Sequence, residues 1–305
     1  MTTFTSARTL DEALRAVGDG ARPVAGGSDL VVGARQGKAP LPPALVGLER
    51  LEELAAIEPD GDGLRIGALA RHADLEAHPL IAARFSALAD GSALVGSPST
   101  RNVGTLGGNV MNASPAMDTG APLVVLEAEV ELRAAGASRR LAVEELWTGP
   151  GRTAAEPGEL CVAVHVPAPP AGSGSAYVRL EYRRAMEIAV VGAAARVELA
   201  GDGTIAACRI ALAAVAPTII RAPGAEQAIV GSLPAPQALA AVAAAASEAS
   251  RPLSDLRGSE AYRRHTIGVV ARRAVEIAAR RAGGESVPIP ANRARGIGVP
   301  FGGAA

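Results

Sequence analysis

Aromatic side chains are scarce: Phe, Tyr and Trp make up 2% of the 305 residues. Interior packing therefore rests on Ala, Val, Leu and Ile, and a platform of stacked rings for single-stranded nucleic acid is excluded. A surplus of one charge is also missing, with 30 Lys and Arg against 31 Asp and Glu and a net charge of −1. Binding to a phosphate backbone needs a basic excess that this chain lacks. Cysteine is nearly absent, Cys161 and Cys208 being the only two. That rules out a disulfide framework, and an iron–sulfur cluster, which takes four thiolates, cannot be built from this chain. His72, His78, His165 and His265 are scattered and match no zinc spacing. No apolar run approaches the roughly 18 to 20 residues that span a bilayer, and the start, MTTFTSARTLDEALRAV, lacks a basic segment leading into an apolar core. The expectation is a soluble, cytoplasmic chain with no transmembrane segment and no nucleic-acid partner. If it handles electrons, the metal centres sit on another chain.

What is plentiful is apolar residue, 49%, and glycine, 35 residues. This length exceeds one compact domain, so two or three cores are expected. Thr9-Leu10-Asp11-Glu12 reads as a capping box opening a helix to about Val17. ARPVAGG then reads as a short strand into a tight turn, SDLVVGARQG as a helix with Ser28 or Asp29 at its N-cap, and PALVGLER as a strand. LAAIEPDGDGLRIGALA carries a Gly- and Asp-rich turn between alternating apolar positions, a hairpin signature, and helical spacing follows over HADLEAHPLIAARFSALADGSALVG. A buried helix and the strand AEVELRA come next, and the mixed α+β region ends near Pro167. VPAPPAGSGSAY marks a boundary. Beyond it, AAARVELAGDGTIAACRIALAAVAP is a hairpin, two Ala-rich helical stretches follow, and Gly283-Gly284 stops the last helix. From Glu285 to Ala305 the chain is rich in Pro, Gly and Arg without periodicity and is expected to be a flexible tail, or an arm ordered by a partner.

Two stretches share an unusual character: PVAGGSDLVVG, from Pro23 to Gly33, and TLGGNVMNASPAMD, from Thr105 to Asp118. Amides at a glycine turn leading into a helix point outward together, and the helix dipole adds positive charge, so phosphate can be accepted without Lys or Arg. Gly26-Gly27 before Ser28-Asp29 and Gly107-Gly108 before Asn109 both fit that description. A glycine pair alone makes an ordinary turn. Two of them, each with hydroxyl and carboxyl or amide neighbours, point to a nucleotide. The G-x-x-x-x-G-K-[ST] pattern is absent and no G-x-G-x-x-G follows a predicted strand, so neither an ATPase loop nor a Rossmann fingerprint is present. The residues lead to a dinucleotide held by two loops and no further.

AGGSDL (Ala25 to Leu30), RNVGTLGGNVMNASPAMD (Arg101 to Asp118) and YVRLEYRRAMEIAVVGAAARVEL (Tyr177 to Leu199) resemble the signature regions of the FAD-binding medium subunits of molybdenum hydroxylases, the family of carbon monoxide dehydrogenase and xanthine dehydrogenase. The likeness keeps order and spacing over nearly the whole chain, including PLSDLRGSEAYRRHTIGVVARRA, and stops at about Glu285. It implies an α+β fold: a PCMH-type FAD-binding lobe of two α/β subdomains, residues 1–54 and 55–168, then a C-terminal α+β domain with an antiparallel sheet and helices, residues 169–284, and a tail, 285–305.

The resemblance implies that noncovalent FAD lies extended between the lobe and the C-terminal domain. Ala25, Gly26, Gly27, Ser28 and Asp29 would wrap the pyrophosphate, and Thr105, Gly107, Gly108 and Asn109 would hold the diphosphate and ribityl region. Asp118 would take a ribose or adenine-side hydroxyl, and Leu160 would touch the flavin region through its backbone. Arg179 stands where the family often has Lys; a cation there stabilises negative charge on reduced flavin, but the swap changes geometry. Arg183 and Arg184 read as a solvated edge or a subunit contact, Glu187 is not assigned to catalysis, and the cysteines read as buried small hydrophobes. The histidines have no partners at useful spacing, and none lies in either glycine loop, which argues against a histidyl-flavin bond.

The implied function is a flavoprotein subunit that takes electrons from [2Fe-2S] clusters on a small partner, after a large molybdenum-cofactor subunit oxidises substrate, and passes them to an external acceptor. A dimer of heterotrimers is the implied assembly, and no catalytic residue or metal ligand is assigned to this chain. The branch with an extra four-iron cluster in this subunit is excluded by the cysteine count. Two rivals remain: a self-contained FAD-dependent oxidase, which needs a base or nucleophile at the flavin, and a non-enzymatic nucleotide-binding assembly factor, which predicts no flavin.

Overall fold

The computed structural model describes residues 1–37 and 39–292. From the N-terminus come β1 (Thr3–Ser6), α1 (Leu10–Gly18), β2 (Arg22–Val24), α2 (Ser28–Arg35), β3 (Ala44–Gly47), β4 (Ile57–Asp60) and β5 (Gly63–Gly67). Five short helices follow, α3 (His72–Ala77), α4 (Pro79–Arg84), α5 (Ser86–Leu94), α6 (Pro98–Arg101) and α7 (Leu106–Asn112), then α8 (Gly120–Val125). β6 (Glu129–Ala134), β7 (Ala137–Ala142), α9 (Val143–Leu146), β8 (Trp147–Gly149), β9 (Arg152–Thr153) and β10 (Leu160–Val166) complete the first half. The second half has β11 (Ser173–Leu180), β12 (Val191–Leu199), β13 (Ile205–Ala213), β14 (Ile220–Arg221), α10 (Pro223–Gln227), α11 (Pro236–Ala249) and α12 (Glu260–Ala282).

These elements form two compact units. The first is Met1–Asp74, Pro98–Ser114 and Glu127–Ala168; the second is Leu75–Ser97, Pro115–Leu126 and the described residues from Pro169 on. The units interleave along the chain, because α5 packs against β11 and β12, α8 packs against β11 to β13, and α4 packs against α5.

In the first unit β1, β3 and β2 form a parallel sheet in that order, Phe4 opposite Leu45 and Pro23 opposite Val46. Helix α1 covers it with Ala13, Leu14 and Val17, in a core shared with Leu160 and Val162 of β10. Thr9 caps α1 as expected, its Oγ1 accepting from Glu12 N at 3.2 Å, but the Glu12 carboxylate accepts from Arg8 N, one residue further back than a capping box predicts. The second sheet runs β4-β5-β10-β6-β7, all neighbours antiparallel. Strand β10 is buried along its whole length at the centre. The predicted β4–β5 hairpin turns through Gly61, φ 58°, a value glycine adopts without strain.

In the second unit the sheet order is β11-β12-β13-β14, antiparallel throughout, with α11 and α12 packed on one face. Small residues replace aromatics here. A Cβ on Gly268 would overlap the Ala243 carbonyl where α12 crosses α11, and one on Gly174 would overlap α12 backbone at Ala278. Close helix approach thus supplies the packing that large rings would otherwise give. Residues 285–292, expected to begin a tail, are instead packed: Val287 and Ala291 join this core, and Ala291 N donates to Asp90 Oδ1 at 2.8 Å. The arm expected at Arg293 to Gly303 lies outside the described residues.

Candidate functional site

In the first unit the first glycine stretch meets the residues just ahead of the second, Val103 and Gly104. A Cβ on Gly26 would overlap the Val103 carbonyl and lie 3.2 Å from Gly104 Cα, so two backbones cross with no room for a side chain. Gly27 follows at φ 66° and starts α2 directly, without a side-chain cap; the expected Ser28 or Asp29 cap is not formed, because both residues are already inside the helix. The first amide of α2 with a protein acceptor is Val31, to Gly27 O at 3.0 Å. Those of Gly26 to Leu30 have none among the described residues. Ala25, Gly26, Gly27 and Ser28 are partly exposed and Asp29 is exposed. An open helix N-terminus beside a side-chain-free crossing accepts an anionic diphosphate.

The second loop differs from the expectation. Gly107 and Gly108 do not form a turn ahead of a helix; they sit in the first turn of α7, because Thr105 is the N-cap and its Oγ1 accepts from Gly108 N at 3.1 Å. Leu106 N donates to Ala70 O and Gly107 N to Ala68 O, both at 2.9 Å, and Asn109 N donates to Thr105 O at 3.0 Å. Every amide from Leu106 to Asn109 is spent inside the protein. Gly107 is needed for packing, since a Cβ there would lie 2.5 Å from Ala68 Cβ. Gly108 is exposed and would meet only Thr105 Oγ1, at 2.9 Å.

A residue that sequence reasoning passed over enters beside these loops. His72, at the start of α3, donates its backbone N–H to Gly104 O at 3.1 Å, and its ring lies with Ser28 Oγ around Gly104. The ring is 1% exposed and its Nδ1 is buried without a partner. Burial, helped by the nearby Arg101 charge, pushes its pKa down to about 4 and keeps it neutral. The ring buries every edge, so proximity to the loop does not make it a linkage residue.

The second unit holds Asp118 and Arg179 in one buried network. Arg179 Nη1 donates to Asp118 Oδ2 at 2.6 Å, Tyr177 Oη donates to Asp118 Oδ1 at 2.9 Å, and Arg179 Nε donates to Glu181 Oε2 at 2.7 Å. Arg179 Nη2 lies 2.6 Å from the same Glu181 oxygen but outside hydrogen-bond geometry, which leaves that nitrogen unsatisfied. Asn292 brackets Arg179, accepting from its N and donating to its O, each at 3.0 Å. Burial outweighs the Arg179 attraction and raises the Asp118 pKa to about 6. A tyrosine constellation unseen in the sequence therefore exists. Its signal was the alternation Ser175, Tyr177, Arg179 on one face of β11, with Glu181 just past its end, opposite the apolar Ala176 and Val178.

Leu160 opens β10 in the core of the first unit, paired with Arg133. Cys161 and Cys208 are buried, and burial pushes both thiols up to about 12, as inert small hydrophobes. Arg183 and Arg184 are exposed, and the Glu187 side chain is mostly buried beside Arg183. The histidine expectation is corrected at His165 on β10: its Nδ1 lies 2.6 Å from Asp60 Oδ2 on β4 and its Nε2 3.0 Å from Glu131 Oε2 on β6, because the strand order β4-β5-β10-β6 brings distant residues together. No group of His, Cys, Asp and Glu among the described residues could hold a metal, and no described helix is long and apolar enough to cross a membrane.

A two-unit α+β chain with an open helix N-terminus at a glycine crossing belongs to the dinucleotide-binding class. Residues 1–169 match the FAD binding domain in molybdopterin dehydrogenase, and residues 176–278 match the CO dehydrogenase flavoprotein C-terminal domain. The carbon monoxide dehydrogenase medium chain of Afipia carboxidovorans is 35% identical, over 88% of this chain and 92% of that one. The putative xanthine dehydrogenase FAD-binding subunit of Escherichia coli strain K12 is 30% identical, over 92% and 96%. The solved carbon monoxide dehydrogenase from Hydrogenophaga pseudoflava superposes with a TM-score of 0.87 at 32% identity, covering 92% of this chain and 98% of that one. The chain belongs to the family of FAD-binding subunits of molybdopterin dehydrogenases and is an oxidoreductase subunit.

The residues present fit FAD. Gly26 leaves a cradle that a Cβ would fill, the α2 amides ahead of Val31 lack acceptors, and His72 Nδ1 lacks a partner.

Proposed function

We propose that this chain is the FAD-carrying electron-transfer subunit of a molybdenum hydroxylase, accepting electrons from a [2Fe-2S] partner and passing them to an external acceptor. The carrying observation is the open α2 N-terminus against the Gly26–Val103 crossing. Amides from Gly26 to Leu30 hold the pyrophosphate, with Ala25 and the side chains of Ser28 and Asp29 around it. Since its amides are spent, the stretch Thr105, Gly107, Gly108 and Asn109 contributes side chains and the open space at Gly108. Asp118, Leu160 and Arg179 stand as further cofactor contacts. Noncovalent FAD supplies the redox chemistry; the protein orients it and sets the local charge.

Relatives of similar identity differ in what their names say they act on: carbon monoxide, xanthine, and, at 32% identity in Paenarthrobacter nicotinovorans, 6-hydroxypseudooxynicotine. One subunit scaffold serving several substrates supports selection of substrate on a separate, large molybdenum-cofactor chain. A cytoplasmic dimer of heterotrimers is the assembly we propose. The oxidase rival needs a base open to substrate, whereas Tyr177 and Asp118 are buried and bonded to each other.

Denaturing the purified chain tests the reading. It should release a yellow, diffusible cofactor with the mass of FAD, and the single chain should reduce artificial acceptors from a chemical donor without oxidising substrate. Substrate turnover by this chain alone, without metal, would favour the oxidase; absence of flavin would favour the assembly factor.

A further inference from the structure

Strand β11 is an edge of the second-unit sheet, with β12 on one side and no strand on the other among the described residues. The backbone N–H and C=O groups of an edge must find partners outside the ladder. Here side chains supply them. Ser86 Oγ and Arg281 Nη1 donate to Ser175 O at 2.7 and 2.8 Å, and Tyr177 N donates to Asp90 Oδ2 at 3.0 Å. At Arg179 the partner is Asn292, whose Oδ1 accepts from Arg179 N and whose Nδ2 donates to Arg179 O, each at 3.0 Å. A residue of a neighbouring strand makes the same two-way exchange in a hydrogen-bonded antiparallel pair. One amide side chain therefore fixes the Arg179 backbone on the side away from β12.

Asn292 is itself held in place. Val287 and Ala291, on the same segment, are buried in the core of this unit, Arg281 Nη2 donates to Pro288 O at 3.1 Å, and Ala291 N donates to Asp90 Oδ1 at 2.8 Å. Asp90 thus anchors both β11, through Tyr177, and the segment that carries Asn292. What this backbone presents is a guanidinium packed among carboxylates. Arg179 is fully buried, its Nη1 and Nε donate to Asp118 and Glu181, and its Nη2 has no hydrogen-bond acceptor. A buried donor left unsatisfied is unfavourable by itself and is explained where a bound group completes the site. The arrangement tolerates little movement. A drift of about 1 Å takes a charge-assisted contact out of range, and the Asp118 contact is 2.6 Å long.

We infer that Asn292 is a positioning residue for the flavin: by fixing the Arg179 backbone it holds the guanidinium against Asp118 and Glu181, and so sets the charge that reduced FAD meets. The inference rests on Arg179 as a cofactor contact, as proposed above. Its sign follows from the charges. In place, the guanidinium is the cation between two carboxyl side chains; displaced, it leaves them uncovered, and negative charge on reduced flavin is disfavoured. A segment that composition marks as a tail thereby takes part in tuning the cofactor.

The test equilibrates the FAD-loaded protein with a redox dye of known potential and reads the ratio of reduced to oxidised flavin, with FAD content and melting temperature measured alongside. Asn292→Leu fills the same buried space without either hydrogen bond, and Asn292→Ala empties it; should the alanine variant fail to fold, the leucine variant still gives the reading. Either should lower the reduced-to-oxidised ratio by about threefold or more at a fixed dye potential. Val287→Ala loosens the same segment without touching Arg179 and should lower the melting temperature while leaving the ratio at the wild-type value. In an Arg179→Met background, Asn292→Leu should add no further shift. An unchanged ratio in both Asn292 variants, while Arg179→Met alone shifts it, overturns the inference. An equal shift in Val287→Ala does so too, since Asn292 would then be only a structural tie. No shift in Arg179→Met removes Arg179 from the flavin and overturns the reading beneath the inference, which separates the two failures.

Discussion

Asp90 on α5 and Arg281 near the end of α12 form a buried bidentate ion pair, Nη1 to Oδ2 at 2.6 Å and Nη2 to Oδ1 at 3.0 Å. The same carboxylate accepts from Tyr177 N at 3.0 Å and Ala291 N at 2.8 Å. One side chain therefore joins α5, strand β11, the long C-terminal helix and the segment after it. Burial raises the Asp90 pKa against the pull of Arg281. That carboxylate is bearable in the interior only because every lone pair has a donor.

Arg281→Met should destabilise the protein by about 3–5 kcal/mol near neutral pH, the scale for breaking a buried pair. The deficit should shrink on acidification, because a carboxyl whose folded pKa is raised stabilises below its unfolded pKa and loses that contribution as pH rises. Urea unfolding at pH 5 and pH 8 measures this. Equal deficits at both values would show that Asp90 titrates alike in the variant and the wild type, so that Arg281 does not set its charge.

The three loop glycines should behave differently. Gly26→Val forces the crossing with Val103 apart, and FAD should be lost together with native stability. Gly107→Ala should cost stability through Ala68. At the exposed Gly108, valine should be tolerated by the fold while FAD occupancy falls, since the side chain fills the open space ahead of α7. Flavin absorbance per chain, read with thermal melting, distinguishes the three. Full FAD occupancy in Gly108→Val would remove that residue from the site.

Periodicity and turn chemistry made α1 and the β4–β5 hairpin legible, because these depend on neighbours a few residues apart. The two loops were legible as glycine-rich, and the crossing of Gly26 over Val103, just ahead of the second loop, was not, since it is a long-range contact. The open state of one helix end and the closed state of the other was hidden for a similar reason. The acceptors that close α7, Ala68 and Ala70, come from a segment with no motif of its own. His165 found its carboxylates through sheet register, which a scan for local spacing cannot see.

His72→Phe tests the orphaned imidazole. Removing a buried polar atom without a partner should leave the apoprotein unchanged or more stable by up to about 1 kcal/mol at neutral pH. The gain should grow as pH falls from 6.5 toward 4, because the folded state resists protonation of a histidine whose pKa is pushed down to about 4, and the variant is free of that penalty. FAD affinity should fall in the same variant. Denaturant unfolding of the apoprotein and flavin fluorescence titration read the two effects separately; a loss above about 2 kcal/mol in the apoprotein would reveal a partner for Nδ1.

Asp118→Asn tests whether burial or ion pairing governs the Tyr177–Asp118–Arg179 network. The wild-type carboxyl is raised from 3.8 to about 6 by burial, despite the Arg179 guanidinium at 2.6 Å. Its favourable contribution is therefore complete below pH 3.8 and disappears as pH climbs through 6, a change of about 3 kcal/mol at about 1.4 kcal/mol per unit. The asparagine has no such titration. Wild type should accordingly be favoured over the variant most strongly near pH 4, and its advantage should narrow by pH 7, when Asp118 bears its full buried charge. Parallel urea titrations from pH 4 to 7 give the difference directly. An advantage that widens with pH would mean that the attraction of Arg179 outweighs burial, and that Asp118 is an ordinary ionised partner throughout this range.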